Sequence, residues 1–155
     1  MNFGEKAVVF LATGLYIGNL PFAPGTFGSL LGLPLGYFLS IFKMPLALSL
    51  TLLFTLVAVW IANSAEKILK KKDPGCIVID EIAGMIITLI GLPFSLPTAV
   101  IGFIFFRAFD ILKPFPIRTL EKKISGGAGI VIDDVIAGIF ANLVLRIIFL
   151  TVSIL

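Results

Sequence analysis

Apolar runs alternate with short polar breaks along almost the whole chain, and the spacing of the breaks predicts helices rather than strands. A short helix is expected at about 6–18, followed by a loop of Pro, Phe, Ala, Pro, Gly and Thr at 21–26 and a helix over about 27–42. Lys43-Met44-Pro45 reads as a tight turn. A strongly apolar helix then covers about 46–69 and stops at Lys70-Lys71-Lys72-Asp73-Pro74-Gly75, a basic end followed by breakers. A helix over about 77–91, a turn through 91–97 and a return helix to about 112 come next. A second polar connector, Lys113 to Gly129, precedes a last helix over about 131–154. The expected fold class is therefore all-α, a multi-pass helical membrane protein of about six helices.

Several of these helices have only about 14–17 residues, or roughly 21–25 Å at 1.5 Å per residue, against a hydrocarbon core of ~30 Å. Some of these are expected to enter only part of the bilayer. The bases give the orientation. Lys67, Lys70, Lys71, Lys72, Arg107, Lys113, Arg118, Lys122 and Lys123 lie in or beside the two polar connectors, while the opposite turns at 43–45 and 91–97 are nearly uncharged. By the positive-inside rule the connectors face the cytoplasm. Tracing the chain up and down brings 24–29, Asp80, Glu81, Asp110, Asp133 and Asp134 to that same face.

Composition supports the membrane reading: 59% of the 155 residues are hydrophobic and 14% charged. One domain, 1–155, is expected, because no apolar segment carries enough polar surface to fold apart from its neighbours. The N-terminus lacks a small-residue cleavage site, so removal of a signal peptide is not expected. A net charge of +3 is too small and scattered for nucleic acid, and anionic lipid is the more natural partner. The absence of His excludes His-based triads, phosphohistidine and His-ligated zinc. Cys76 stands alone, with Ile82 where a Cys-dependent phosphatase loop needs Arg, and reads as a small apolar filler. Catalysis must then come from carboxylates, Lys, Arg, hydroxyls, backbone amides or a metal.

Two acidic pairs interrupt the apolar pattern in nearly the same words, IVIDEIAG at 77–84 and IVIDDVIAG at 130–138. Each is expected at the start of a helix. Acids there complement the helix dipole, and that alone accounts for one pair. Two pairs at one membrane face ask for more, since clustered carboxylates repel unless a cation sits among them. With oxygen ligands only, the cation expected is Mg²⁺. Gly84 and Gly138, each four residues after an acid, leave bare backbone for a helix partner or a ligand. Asp110 has Arg107 and Lys113 three residues to either side, which fits either a metal ligand with phosphate clamps, Arg118 included, or an i,i+3 ion pair. Gly25, Thr26 and Ser29 offer amides and hydroxyls to an anion, or serve as an ordinary N-cap. The run Gly126-Gly127-Ala128-Gly129 has the same ambiguity and lacks the ending of a P-loop. Arg146, three turns beyond Asp134, is expected to snorkel or pair within the bundle.

The segments PFAPGTFGS at 21–29, DPGCIVIDEIAGM at 73–85, FRAFDILKPFPIR at 106–118 and GGAGIVIDDVIAG at 126–138 together resemble the phosphatidylglycerophosphatase A family, in the right order over nearly the whole chain. The resemblance implies an all-helical fold with a central helix surrounded by others, in a bacterial cytoplasmic membrane. It implies Mg²⁺-dependent hydrolysis of phosphatidylglycerophosphate to phosphatidylglycerol and inorganic phosphate at the cytoplasmic side. Combined with the residue reading, Asp80, Glu81, Asp133 and Asp134, with Asp110, are expected to organise Mg²⁺ for attack by water, a carboxylate nucleophile being the alternative. Gly25, Thr26, Ser29, Arg107, Lys113 and Arg118 are the expected phosphate ligands. Two rivals remain at this point: an ion-coupled transporter or channel using the acids for a permeating cation, and a headgroup transferase, whose long Asp-x-x-Asp-Gly signature is missing.

Overall fold

The computed structural model describes residues 1–154, and every regular element in them is helical. Helix α1 spans Phe3–Ala12, α2 Pro24–Ser40, α3 Met44–Leu69, α4 Ile79–Leu89, α5 Leu96–Leu112, α6 Ile117–Lys123 and α7 Gly127–Ile154, with a 3₁₀ turn at Ile17–Asn19. Lys122, counted above among the cytoplasmic bases, lies outside the residues whose side chains are described, as does position 155.

The boundaries depart from the expected ones where breakers were misread. Helix α1 ends at Ala12 instead of 18, because Leu15 and Tyr16 adopt positive φ and turn the chain. The segment at 24–29 is no loop: Pro24 opens α2, where a missing N–H costs nothing and the fixed φ already suits a helix. Gly25, Thr26 and Ser29 are therefore helical residues. The second connector contains the additional helix α6. Helix α7 begins at Gly127, four residues early, so Asp133 and Asp134 sit nearly two turns inside it, whereas Asp80 and Glu81 do lie in the first turn of α4.

The central helix is α4. It packs against α2, α3, α5 and α7, and of its eleven residues only Glu81 and Ile87 escape full burial. Close helix approach makes this possible. Gly28, Gly32 and Gly36 of α2 form a stripe against Val78, Met85 and Leu89, where an added Cβ would come within 2.6–2.8 Å of those side chains. On the opposite side a Cβ on Gly84 would stand 2.7 Å from the Asp134 carbonyl, and one on Gly138 2.4 Å from the Gly84 carbonyl. The bare backbone after each acidic pair thus receives the other helix, not a ligand.

The far end of α4 is closed from α7. Asn142 donates through its side-chain amide to the carbonyls of Ile87, Thr88 and Ile90 at 2.9–3.3 Å, and Arg146 donates to Asn142 Oδ1 and to the Ile90 carbonyl. Orphan carbonyls at a helix C-terminus are satisfied in this way, and cations there suit the dipole. Arg146 thus pairs within the bundle, one of the two outcomes expected for it, and does not snorkel.

Two helices, α3 and α7, are long and apolar enough to cross a membrane. Their settings differ: α3 turns Leu52, Leu53, Leu56 and Trp60 outward, each more than half exposed, whereas α7 is largely covered by its neighbours. Such an outward apolar face associates the protein with a membrane. Helices α2 and α5, at 17 residues each, are about 26 Å long and α4, at 11, about 16 Å, so these fall short of a ~30 Å core.

Candidate active site

Helix directions bring the start of α2, the start of α4, the end of α5 and the first turns of α7 to one end of the bundle, where a cavity of about 530 Å³ opens. Asp80, Glu81, Asp110, Asp133 and Asp134 all line it, together with Lys113 and Arg118. The convergence expected from the trace of the chain is present for the five acids, while none of 24–29 lines the cavity.

Three acids form the innermost group. One carboxylate oxygen from each of Asp80, Glu81 and Asp134 lies within 4.8 Å of the others. Asp80 and Asp134 are 8% and 3% exposed, and Asp80 Oδ1, Glu81 Oε2 and Asp134 Oδ1 are buried without a hydrogen-bond partner among the described residues. A buried carboxylate oxygen without a donor is costly, and three in one place ask for a cation. Asp80 and Glu81 lie outside the two long apolar helices. Burial pushes the Asp80 carboxyl well above its ordinary range, reinforced by the charges of Glu81 and Asp134. Burial also raises Glu81, against the opposing hydrogen bond from Asp80.

The remaining acids are already engaged. Lys113 Nζ donates to Asp133 Oδ2 at 2.7 Å, and Asp133 Oδ1 accepts the Asp134 N–H at 3.1 Å. Asp110 is paired with Arg107, one turn back on α5, which is the i,i+3 arrangement its spacing allowed. Adjacent residues on a helix diverge by about 100°, so Asp133 and Asp134 serve different neighbours.

Four expected phosphate ligands are placed off the cavity wall. Ser29 is fully buried, its hydroxyl donating to the Gly25 carbonyl at 2.8 Å. Thr26 sits in the first turn of α2. Arg107 faces Asp110 and the Gly25 backbone, with its Nε buried and unpartnered among the described residues. Gly25 itself gives Glu81 room, since a Cβ there would stand 2.2 Å from Glu81 Oε1 and 3.2 Å from Arg107 Nη1. Gly127, the first residue of α7, has a packing role as well: a Cβ there would come within 2.2 Å of the Val59 carbonyl, and its N–H donates to Asn63 Oδ1.

Sequence reasoning passed over Glu66, Lys72 and Asp73, which line the outer cavity. The Asp73 N–H donates to Glu66 Oε1 at 3.1 Å, which ties the basic stop after α3 back to that helix. Their signal was a run of charges next to a Pro-Gly break, read only as punctuation. Seven of the lining residues are acidic against three basic, so a phosphate ester can approach only if cations offset that charge.

Residues 10–149 match the family model for phosphatidylglycerophosphatase A. The phosphatidylglycerophosphatase A of Escherichia coli is 37% identical over 84% of this chain and 77% of its own length. That of Haemophilus influenzae is 41% identical over 86% of the chain and 83% of its own. A protein of Bacteroides thetaiotaomicron, provisionally named a phosphatidylinositol-3-phosphatase, is 36% identical over 90% of the chain and 91% of its own length. No solved structure matches the chain.

Proposed function

We propose that this chain, which belongs to the phosphatidylglycerophosphatase A family and is a phosphatase, removes the terminal phosphate of phosphatidylglycerophosphate in a Mg²⁺-dependent reaction. The observation that carries the metal requirement is the trio of buried, unpartnered carboxylate oxygens on Asp80, Glu81 and Asp134. Oxygen-only donors at the end of a buried helix fit Mg²⁺, which takes one or two carboxylates, waters and substrate phosphate oxygens. When bound, the ion would supply charge neutralisation at the phosphoryl oxygens and would lower the pKa of an attacking water.

This chain's own residues do the rest. Asp80, Glu81 and Asp134 would hold the ion, and Gly25 lets α2 approach without displacing Glu81. Asp133 holds Lys113 at the cavity, where the ammonium and the Arg118 guanidinium draw the phosphate in against seven acids. Arg107 fixes Asp110 and offsets part of the acidic charge nearby. Apolar outer faces such as that of α3 keep the protein in the bilayer, so the acyl chains of the substrate need not leave it. We place the chain in a bacterial inner membrane as a multi-pass protein with the cavity facing the cytoplasm, supported by the bases that crowd that end. The acids gather at one end of the bundle rather than along a path through it, which favours a hydrolase over a cation transporter.

Phosphate release by the purified protein in mixed micelles tests the reading. The expected result is release from phosphatidylglycerophosphate with Mg²⁺, abolished by a chelator and restored by Mg²⁺. Faster release from phosphatidylinositol 3-phosphate would overturn the substrate, and full activity in chelator would overturn the metal.

A further inference from the structure

Beside the acidic cavity lies a second recess of about 510 Å³, lined by Lys113, Phe115, Arg118, Thr119 and Lys123. The two share Lys113 and Arg118, so they adjoin across those side chains. Their chemistry is opposite. The first is lined by seven acids, whereas the second has three bases, a hydroxyl and no carboxylate among its described lining residues. Phe115, Leu112 and Ile111 next to it are 82%, 75% and 69% exposed, an apolar margin that suits the acyl side of a bilayer interface.

A substrate with a terminal phosphate monoester and an internal phosphodiester presents two anions in sequence, the diester being closer to the acyl chains. The monoester belongs with the acids, because a cation held there can neutralise it. A diester pushed into the same cavity would meet uncompensated carboxylates. We infer that the recess formed by Arg118, Thr119 and Lys123 binds the internal phosphodiester of the lipid, so that Thr119 and Lys123 set the preference for a two-phosphate headgroup. This rests on the phosphatase reading above for the identity of the substrate. Lys113 and Arg118 stand between the phosphates, while Thr119 and Lys123 touch only the recess and carry the discrimination.

A binding measurement without metal separates this inference from the catalytic reading. Fluorescent phosphatidylglycerol, which has the diester and no monoester, is titrated into the full chain in uncharged detergent micelles. Lys123→Gln should weaken binding about tenfold, the loss of one charge-assisted contact, with Lys123→Arg restoring most of it and Thr119→Val showing a smaller loss. Lys71→Gln, which removes an equal charge elsewhere, should leave binding unchanged. In turnover assays with Mg²⁺, Lys123→Gln should raise KM for phosphatidylglycerophosphate with kcat kept, lowering its preference over phosphatidate by a similar factor. Equal weakening by Lys71→Gln and Lys123→Gln would reduce the effect to surface charge and overturn the subsite. So would displacement of the lipid by an equal concentration of inorganic phosphate, which would make the recess a site for the free ion. Lack of phosphate release by the wild type would overturn the catalytic reading alone, because the binding data judge the recess independently.

Discussion

The two acidic pairs are nearly the same words in sequence, yet the fold uses them differently. Asp80 and Glu81 open α4 and both turn into the carboxylate trio. Asp133 and Asp134 lie inside α7, and only Asp134 joins the trio while Asp133 is taken by Lys113. Repetition in sequence therefore marks the shared α4–α7 crossing, where Gly84 admits the Asp134 carbonyl and Gly138 the Gly84 carbonyl, more than it marks equal chemistry. A motif repeated for packing carries its acids along. Which acid is left to join the trio depends on what faces it from a third helix, here Lys113 at the end of α5.

The largest effect should come from splitting the second pair by mutation. Asp134→Asn leaves the shape of the site but removes charge from the trio, as Asp80→Asn does from the other side. Each should lower kcat by about 100- to 1,000-fold, the scale of losing a preorganised electrostatic contact in the transition state. Asp133→Asn keeps the trio and only loosens Lys113, so its loss should be about tenfold and fall mainly on KM. Phosphate-release kinetics on the three variants check the order. Equal losses for Asp133→Asn and Asp134→Asn would erase the distinction between the neighbours.

A smaller effect, on stability, should follow from forcing the crossing apart. Gly84→Ala places a methyl 2.5 Å from the Phe106 ring and 2.7 Å from the Asp134 carbonyl, neither of which can retreat without moving a helix. Overpacking of this kind costs about 1–3 kcal/mol. Because the same shift moves Asp134 away from Asp80, thermal stabilisation by Mg²⁺ should fall as well. Gly75→Ala, with nothing within 4 Å of its added methyl, is the control and should melt like the wild type. Melting curves in detergent with and without Mg²⁺ read both effects.

Much of this site was legible because ionised residues in an apolar pattern are costly enough to need a reason. Convergence of Asp80, Glu81, Asp110, Asp133 and Asp134 followed from helix count and base placement alone, and the central helix followed from family resemblance. What stayed hidden depended on the third dimension. Pro24 and Gly25 look like a loop until α2 is seen to start there, with its first turn against Glu81. Ser29 looks like a phosphate ligand until its hydroxyl is seen to be spent on the Gly25 carbonyl. Glu66, Lys72 and Asp73 were invisible as site residues because nothing local says that the end of α3 lines the cavity.

The smallest effect separates the pairs by pH. Asp80 and Glu81 have folded-state carboxyls raised above their ordinary range by burial, so the metal-free fold binds their protons more tightly than the unfolded chain does. Stability from this source is fully present below the ordinary carboxylate range and is lost as pH rises through the raised folded values. Metal-free protein should therefore melt at progressively lower temperature across that window, each 1 kcal/mol corresponding to roughly 2–4 °C in a domain of this size. Mg²⁺ should reverse the trend, because its ligands must be deprotonated and its affinity grows with pH. The melting temperatures with and without Mg²⁺ should thus diverge as pH increases. Asp80→Asn, which cannot ionise at that position, should flatten the metal-free slope, whereas Glu66→Gln, at the outer cavity, should leave it intact. A slope unaffected by Asp80→Asn would detach the pH response from the first acidic pair and assign it to another titrating group.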